Sequence, residues 1–478
     1  MKKLTLTTAI FAIFGAQLSL AEGFEKESKE SKRKRNYYVK SISYSSNPES
    51  DPPRYVNQLD QSGIEAFKNI DWIDAGLSHR IRYEHRDNDF RRSIDNTDDA
   101  FLRRTQAYFG IKNILDPLRF AVELQDSRID NSKFPKNTGD VNTLDVLQAY
   151  GELYFKDPII LDRPISLRAG RMAFEVLDRK LLARDDWGNT STNFQGFRTI
   201  IGKKENDWQL DSFALQPMVK STNESDHANK NQWVYATILN WRKWSDKFTL
   251  QPFYFILDQD KSSTSYRRKI NSPGMRIFGS FRNSKFDYDL IGIYQFGESN
   301  YKTHRANASS VEIGYSYEHR WNPRFSMVYA YASGDKNPND SKNQRFDKFY
   351  GFNRSFSNSN TIEWENLETI KSRVEFSPQK KLRLEASYSY YWLASASDSW
   401  RRGNNLRDTS GSNGKEIGHD FDFRNHYDIT KNISTTLGYA HFEPGKFTKN
   451  VGRNGASDFI YLELNFSLFS WRNYPQDF

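Results

Sequence analysis

The feature that most limits how this chain can fold is an alternation of apolar and polar residues with period two, repeated along most of its length. Leu462, Leu464, Phe466 and Leu468 share one face of a strand, and Glu463, Asn465 and Ser467 share the other. Leu382, Leu384, Ala386, Tyr388, Tyr390 and Trp392 alternate in the same way with Arg383, Glu385, Ser387 and Ser389. Phe286, Tyr288, Leu290, Gly292, Tyr294 and Phe296 do so with Asp287, Asp289 and Gln295. Successive side chains of a strand point to opposite faces, so these runs specify strands with one apolar and one polar side. A soluble β-sandwich shows the same alternation, and loop lengths separate the two. The pattern predicts strands near 72–86, 101–112, 118–127, 144–155, 165–174, 194–203, 208–217, 232–242 and 247–258. Further strands fall near 273–282, 286–296, 310–319, 325–334, 369–376, 381–393, 416–428, 432–442 and 458–469. Tight connections (Lys204–Asp207, Lys243–Asp246, Asn283–Lys285, Trp321–Arg324, Ser377–Lys380) alternate with long ones (128–143, 175–193, 259–272, 335–368, 394–415). Short turns at one end and long loops at the other mark an all-β transmembrane antiparallel barrel, here of about 18 strands, with both termini on the short-turn side. Two features strain that pattern: the 156–164 connection is long for its side, and Pro252 removes a ladder donor inside a strand.

Composition fits a barrel better than a soluble domain or a helical membrane protein. Mean hydropathy is −0.81, yet aromatic residues make up 15% of the chain. Strands that meet lipid on one face and water on the other average out as polar. After the N-terminus, no stretch approaches the roughly 18 consecutive apolar residues that a membrane helix needs. The N-terminus itself carries Lys2 and Lys3, an apolar stretch from Leu4 to Gly15, and small residues at Ser19 and Ala21. That order is a secretory signal peptide over 1–21, with cleavage after Ala21. A charged and polar arm over 22–70 follows, with Pro52 and Pro53, too poor in apolar residues to bury a core of its own and expected in the periplasm. The barrel then spans 71–469, with a C-terminal extension over 470–478. There is no cysteine, so disulfides hold nothing together; a closed ladder of backbone hydrogen bonds suffices. Removal of Lys2 and Lys3 with the leader takes the formal charge from +9 to +7. A mildly basic barrel suits an anionic cargo or contact with lipopolysaccharide, and no nucleic-acid partner is expected.

The eight histidines (79, 85, 227, 304, 319, 419, 426 and 441) show no paired metal-ligand spacing, and no nucleophile elbow, phosphate loop or dinucleotide fingerprint is present. The spacing of Asp185 and Asp186 gives no support for a cation site. His426 falls beside Arg424 on the inner face, as a wall residue rather than a base. The reading is therefore of a chain that is not an enzyme, with no cofactor and no metal. Parity instead places Arg80, Arg82, Glu84, Arg104, Arg119, Arg168, Arg198, Arg276, Arg373, Arg383 and Arg424 inward. In a water-filled lumen a guanidinium keeps its charge and grips carboxylates in bidentate fashion. Arginines on several strands can form a ladder for a polyanion. Neutralisation by neighbouring acids, as with Arg383 and Glu385, is the plainer use of the same residues.

Four runs carry a family resemblance. WIDAGLSHRIRYEHRDNDFRR (Trp72–Arg92) resembles the opening strand of the alginate export porin family. SLRAGRMAF (Ser166–Phe174) and DDWGNTSTNFQGFRT (Asp185–Thr199) resemble its central strand, loop and strand. IGHDFDFRNHYDITKNISTTLGYAHFEPGKF (Ile417–Phe447) and the closing strand Phe459–Phe469 resemble its C-terminal part. The resemblance implies an 18-stranded outer-membrane barrel of a Gram-negative cell whose arginine-rich constriction passes an anionic polysaccharide outward, beside periplasmic export machinery. It carries over Arg82, Arg168, Arg171, Arg198 and Arg424; with Arg104 and Arg373 from parity, these are the candidate pore-lining residues. His79 and His419 depart from the family pattern, and Ser470–Phe478 runs past the expected terminal strand. Two further classes stand beside the export pore: an uptake porin for small anions or sugars, and an adhesive barrel with a closed lumen.

Overall fold

The computed structural model describes residues 57–59, 64–93, 97–245, 247–262, 265–281 and 284–468. The expected signal peptide, most of the 22–70 arm and the 470–478 extension lie outside them. Eighteen antiparallel strands form one closed sheet. In chain order they are β1 (Ile73–Asp87), β2 (Asp98–Ile111), β3 (Leu118–Asp130), β4 (Asn142–Phe155), β5 (Ile165–Met172) and β6 (Phe194–Ile201). Next come β7 (Trp208–Val219), β8 (Gln232–Trp241), β9 (Thr249–Gln259), β10 (Arg268–Ser280), β11 (Phe286–Ser299) and β12 (Lys302–Ser316). The last six are β13 (Arg324–Ala332), β14 (Leu367–Gln379), β15 (Leu382–Trp392), β16 (Glu416–Asp428), β17 (Ile433–Pro444) and β18 (Ser457–Leu468). Each strand pairs with the next, and β18 closes on β1 in the register Leu77↔Leu468 to Asp87↔Asp458. Asn57–Gln58 pairs with Ala75 and Asp74, covering the foot of β1 below the point where β18 stops.

The alternation read from sequence is the alternation of the wall. On β18, Ile460, Leu462, Leu464 and Phe466 are exposed on the outside, while Phe459, Tyr461, Asn465 and Ser467 are buried within. Outward aromatic rings gather at two levels, as the two interfaces of a bilayer require. Toward the long-loop end Trp233 stacks on Tyr235, Tyr294 on Phe296 and Tyr390 on Trp392. Toward the short-turn end Trp241 stacks on Trp244, Phe286 meets Tyr315 and Trp321 stacks on Phe376. On β5 and β6 Gly170 faces Gly196 with φ of 134° and 156°. A side chain on either would drive into a neighbouring carbonyl, 2.3 Å from that of Ala149 or 2.1 Å from that of Ala214.

Two expectations need correction. The connection between β11 and β12 is a two-residue turn, although it lies at the long-loop end. Both strands run further than the apolar pattern showed, and Asn300 and Tyr301 turn the chain with φ of 51° and 62°. Two consecutive residues with positive φ are the signature of the tight hairpin turn whose twist matches the strands. Residues 302–309 escaped detection because Thr303, Arg305, Asn307 and Ser309 face outward and are polar. The inner wall is also not polar throughout. On β7 to β13 the inward residues at the long-loop half include Phe213, Leu215, Phe255, Leu257, Ile270, Ile293 and Ala330, all buried. They belong to one apolar cluster with residues of two loops, described next.

Candidate functional site

The lumen is shaped by two long connections that turn inward: residues 173–193 between β5 and β6, and residues 333–366 between β13 and β14. Phe174, Val176, Leu181 and Leu182 of the first, and Phe346, Phe356, Ile362 and Trp364 of the second, are buried against the apolar sector of the wall. Fully burying each such side chain is worth roughly 1.5–3 kcal/mol, enough to hold both loops in the lumen. They are also joined by backbone. The Ala183 N–H donates to the Tyr350 carbonyl at 2.9 Å, Tyr350 N–H to Leu181 at 3.0 Å and Phe352 N–H to Arg179 at 2.8 Å. Leu177, Asp178 and Arg179 make a left-handed turn with φ of 50°, 53° and 64°. Such a conformation costs roughly 1–2 kcal/mol per non-glycine residue, so the packing around it must hold it in place.

The tip of the first loop is gripped by arginines. Arg80 donates to the carbonyls of Asp186 at 2.9 Å and Gly188 at 2.8 Å, and Arg104 donates to the same two carbonyls at 3.0 Å each. Arg82 donates to the Trp187 carbonyl at 2.8 Å, and its guanidinium lies 3.9 Å from the centre of the Trp187 ring. Arg354, from the second loop, lies 3.4 Å from the same ring centre. Arg80, Arg82 and Arg354 thus meet at Trp187, with Arg104 on the carbonyls to either side of it. Arg82 also pairs with Glu84 at 2.8 Å and Glu463 at 3.3 Å, and Arg80 reaches Glu463 at 3.8 Å. Below the tip, Arg184 bridges Glu123 at 2.6 Å and Asp186 at 2.9 Å. Burial works against its charge, but the two acids outweigh that and hold its pKa above the ordinary arginine value.

The other arginines named from sequence sit in a belt of ion pairs that crosses from strand to strand. Arg168 pairs with Glu152 at 3.0 Å and Arg198 with Asp211 at 2.6 Å, and the Arg198 guanidinium lies 3.8 Å from the Phe174 ring centre. Arg276 pairs with Asp289, Arg373 with Glu312 and Glu375 at 3.0 Å each, Arg383 with Glu375 at 3.2 Å and Arg424 with Glu385 at 2.6 Å. Arg119 pairs with Asp116 at 2.8 Å beside the short-turn end. Arg171 has the opposite parity to Arg168; it bonds the carbonyls of Val146 at 2.7 Å and Asp226 at 2.8 Å and so ties down the 220–231 connection. His426 meets Thr436 at 2.9 Å and Asp428 at 3.3 Å. Sequence reasoning missed Arg354, which lies on a loop without periodicity, and the role of Trp187. The acidic partners were legible in principle, since Glu152↔Arg168, Arg82↔Glu463 and Glu385↔Arg424 are direct cross-strand neighbours.

Between the loops and the wall is a small recess, with room for little more than a water molecule, lined by Asp178, Lys180, Asp289, Glu312, Phe356 and Lys371 among others. Burial lowers the Lys180 pKa below the ordinary lysine value. Among the described residues no cluster of three or more histidines and acids is arranged to hold a metal ion.

Residues 71–460 match the sequence profile of the alginate export family. A search of curated proteins finds no match. Among solved structures, the outer-membrane protein OpdK of Pseudomonas aeruginosa aligns with a TM-score of 0.59 at 12% identity, covering 83% of this chain and 98% of that one. OpdK with vanillate gives 0.59 at 12% identity, over 82% and 98%. OccK10 (OpdN) of the same organism gives 0.56 at 14% identity, again over 82% and 98%. At such identities the likeness bears on the fold alone: these are outer-membrane barrels of similar build.

Proposed function

This chain belongs to the alginate export family, an outer-membrane porin by family and by fold, and we propose that its cargo is an anionic polysaccharide of the alginate-like, polyuronate kind. The observation that carries the reading is the arginine cluster at Trp187. Arg80 and Arg104 donate their short hydrogen bonds to neutral carbonyls, and Arg80 has a carboxylate, that of Glu463, only at 3.8 Å, so both are less fully balanced than the arginines of the ion-pair belt. A uronate carboxylate presents the same acceptor geometry as those carbonyls, with a full charge added, and a charge-assisted bond is roughly twice as strong as a neutral one. A passing polymer then exchanges with the loop tip for the guanidinium groups, one carboxylate after another. The ion-pair belt of Arg168, Arg198, Arg373 and Arg424 keeps the rest of the wall polar without trapping the polymer, because each of those charges is already balanced. On this reading periplasmic machinery delivers the polymer, and the long loops release it outside.

A second reading, uptake of small anions or sugars, draws on the likeness in fold to OpdK, a barrel solved with vanillate. Planar-bilayer recording separates the two. The polysaccharide reading expects anion-selective reversal potentials and block of the current by mannuronate oligomers that tightens with oligomer length. It also expects Arg80→Gln and Arg104→Gln to weaken that block at least tenfold. Block by a monomeric uronate as strong as by long oligomers would transfer the assignment to small-solute uptake.

A further inference from the structure

Two carboxylates of β16 face the second inward loop, and they are served by different donors. Asp420 and Asp422 are two residues apart, so both point into the barrel, and each is 1% exposed. Asp422 has the partners an ionised group needs. The Asn358 N–H of the loop reaches its two oxygens at 3.2 and 3.1 Å, and the Lys371 ammonium of β14 stands 3.4 Å away. Lys371 also donates to the Phe356 carbonyl of the loop at 2.8 Å.

Asp420 is one proton short. Its Oδ1 lies 2.8 Å from the Tyr391 hydroxyl of β15, and its Oδ2 is buried with no donor in hydrogen-bonding geometry. The same Tyr391 oxygen lies 3.0 Å from the Phe356 carbonyl. A phenol has a single proton to give. Given to Asp420, it leaves two oxygens facing each other at Phe356 with no hydrogen between them. Given to Phe356, it leaves the same fault at Asp420. A proton on Asp420 closes both contacts: the carboxyl donates to Tyr391, and Tyr391 donates to the carbonyl. The charged groups around the site are Asp422, Lys371 and, on the loop, Arg354, with Arg86 of β1 at the Ser359 carbonyl. On β17 the residues opposite are Phe442 and Ala440, which carry no charge. A second bare carboxylate beside Asp422, away from water, is strongly disfavoured.

We propose that Asp420 carries a proton while the second loop is docked, and that the chain from Asp420 through Tyr391 to Phe356 is a pH-sensitive latch on that loop. Release of the loop opens Asp420 to water, where a carboxyl ionises at neutral pH, so each release gives one proton to solvent. Acid therefore favours the docked loop, and rising pH loosens it. The latch works whatever the cargo, so it and the polysaccharide reading can fail separately.

The test uses the full channel and two thiol probes on the second loop. Ser355→Cys stands at a position 5% exposed and reacts with a polar maleimide only when the loop lifts. Asn337→Cys, at an exposed position, gives the reactivity of the thiol itself at each pH. The ratio of the two labelling rates is expected to rise with pH through the neutral range, by up to about tenfold per pH unit for one proton released. Asp420→Asn supplies the missing hydrogen from an amide that does not titrate, and is expected to keep the loop docked with a flat ratio. A second measurement does not need that variant to fold. The infrared spectrum of the channel with isotope-labelled aspartate is expected to show an un-ionised carboxyl at neutral pH, lost in alkali where the ratio levels off. A ratio in the otherwise native channel that does not change with pH overturns the proposal. So does an unchanged slope in folded Asp420→Asn, or a neutral-pH spectrum in which every aspartate is ionised.

Discussion

Arg104→Gln tests whether the arginines hold the first inward loop in place. Arg104 is 8% exposed and donates two hydrogen bonds of 3.0 Å to the loop tip, at the carbonyls of Asp186 and Gly188. A hydrogen bond from a charged donor contributes about 1.5–3 kcal/mol. Glutamine is shorter and can replace one of the two, so the net loss is about one such bond. At about 1.4 kcal/mol per factor of ten, the undocked population rises between about tenfold and a hundredfold. The native chain has no cysteine, so a thiol at Ser191, which is 2% exposed beside Gln106, reports opening without background. Labelling of Ser191→Cys by a polar maleimide is expected to accelerate at least tenfold when Arg104→Gln is added. The open probability in bilayers is expected to rise with it. An unchanged labelling rate in a channel that keeps its heat-modifiable mobility would falsify the idea that this guanidinium anchors the loop.

Other expectations follow from single features. The mature protein is expected to begin at Glu22 and to fractionate with the outer membrane; intact mass of that fraction checks it, and a retained Met1 contradicts it. Cysteines at Asn337 and Ser399 are expected to label on intact cells and one at Ser284 only after permeabilisation; the reverse pattern would invert the topology. Arg424→Gln leaves Glu385 without its partner at 2.6 Å, so reversal potentials are expected to move toward cations, with Glu385→Gln moving them the other way and the double substitution returning close to wild type. Leu182→Ala, at a fully buried position joining the two loops, is expected to cost about 2–5 kcal/mol and to lower the heat-modification temperature. A neutral result there would mean that the loops are not held by packing.

The outside of this barrel was legible because lipid imposes one rule on every strand. Leu462, Leu464 and Phe466 could be placed from period two alone, and so could the turns that the apolar pattern leaves between strands. The inside obeys no single rule. At Phe255 and Leu257 the inward residues are as apolar as the outward ones, because loop residues far away in sequence cover them. The hairpin at Asn300 and Tyr301 was hidden for a related reason: where a strand rises past the lipid, its outward face is free to be polar. Inward arginines could be named by parity, but what they hold depends on where two loops travel. The parity that aims Arg80 and Arg82 inward says nothing of Trp187, and Arg354 carries no periodic signal at all.

The seam between β1 and β18 sets the order in which this molecule can come into being. Arg82 and Glu463 are 381 residues apart in sequence yet direct partners across the last ladder to form. Until that ladder zips, the guanidinium at the heart of the lumen lacks one of its two carboxylates, and the edge of β1 lies open. A slip of one residue there would turn Leu462 and Leu464 inward and Glu463 toward lipid, so each wrong register is rejected on both faces at once. Closure and assembly of the charged centre are therefore a single cooperative event.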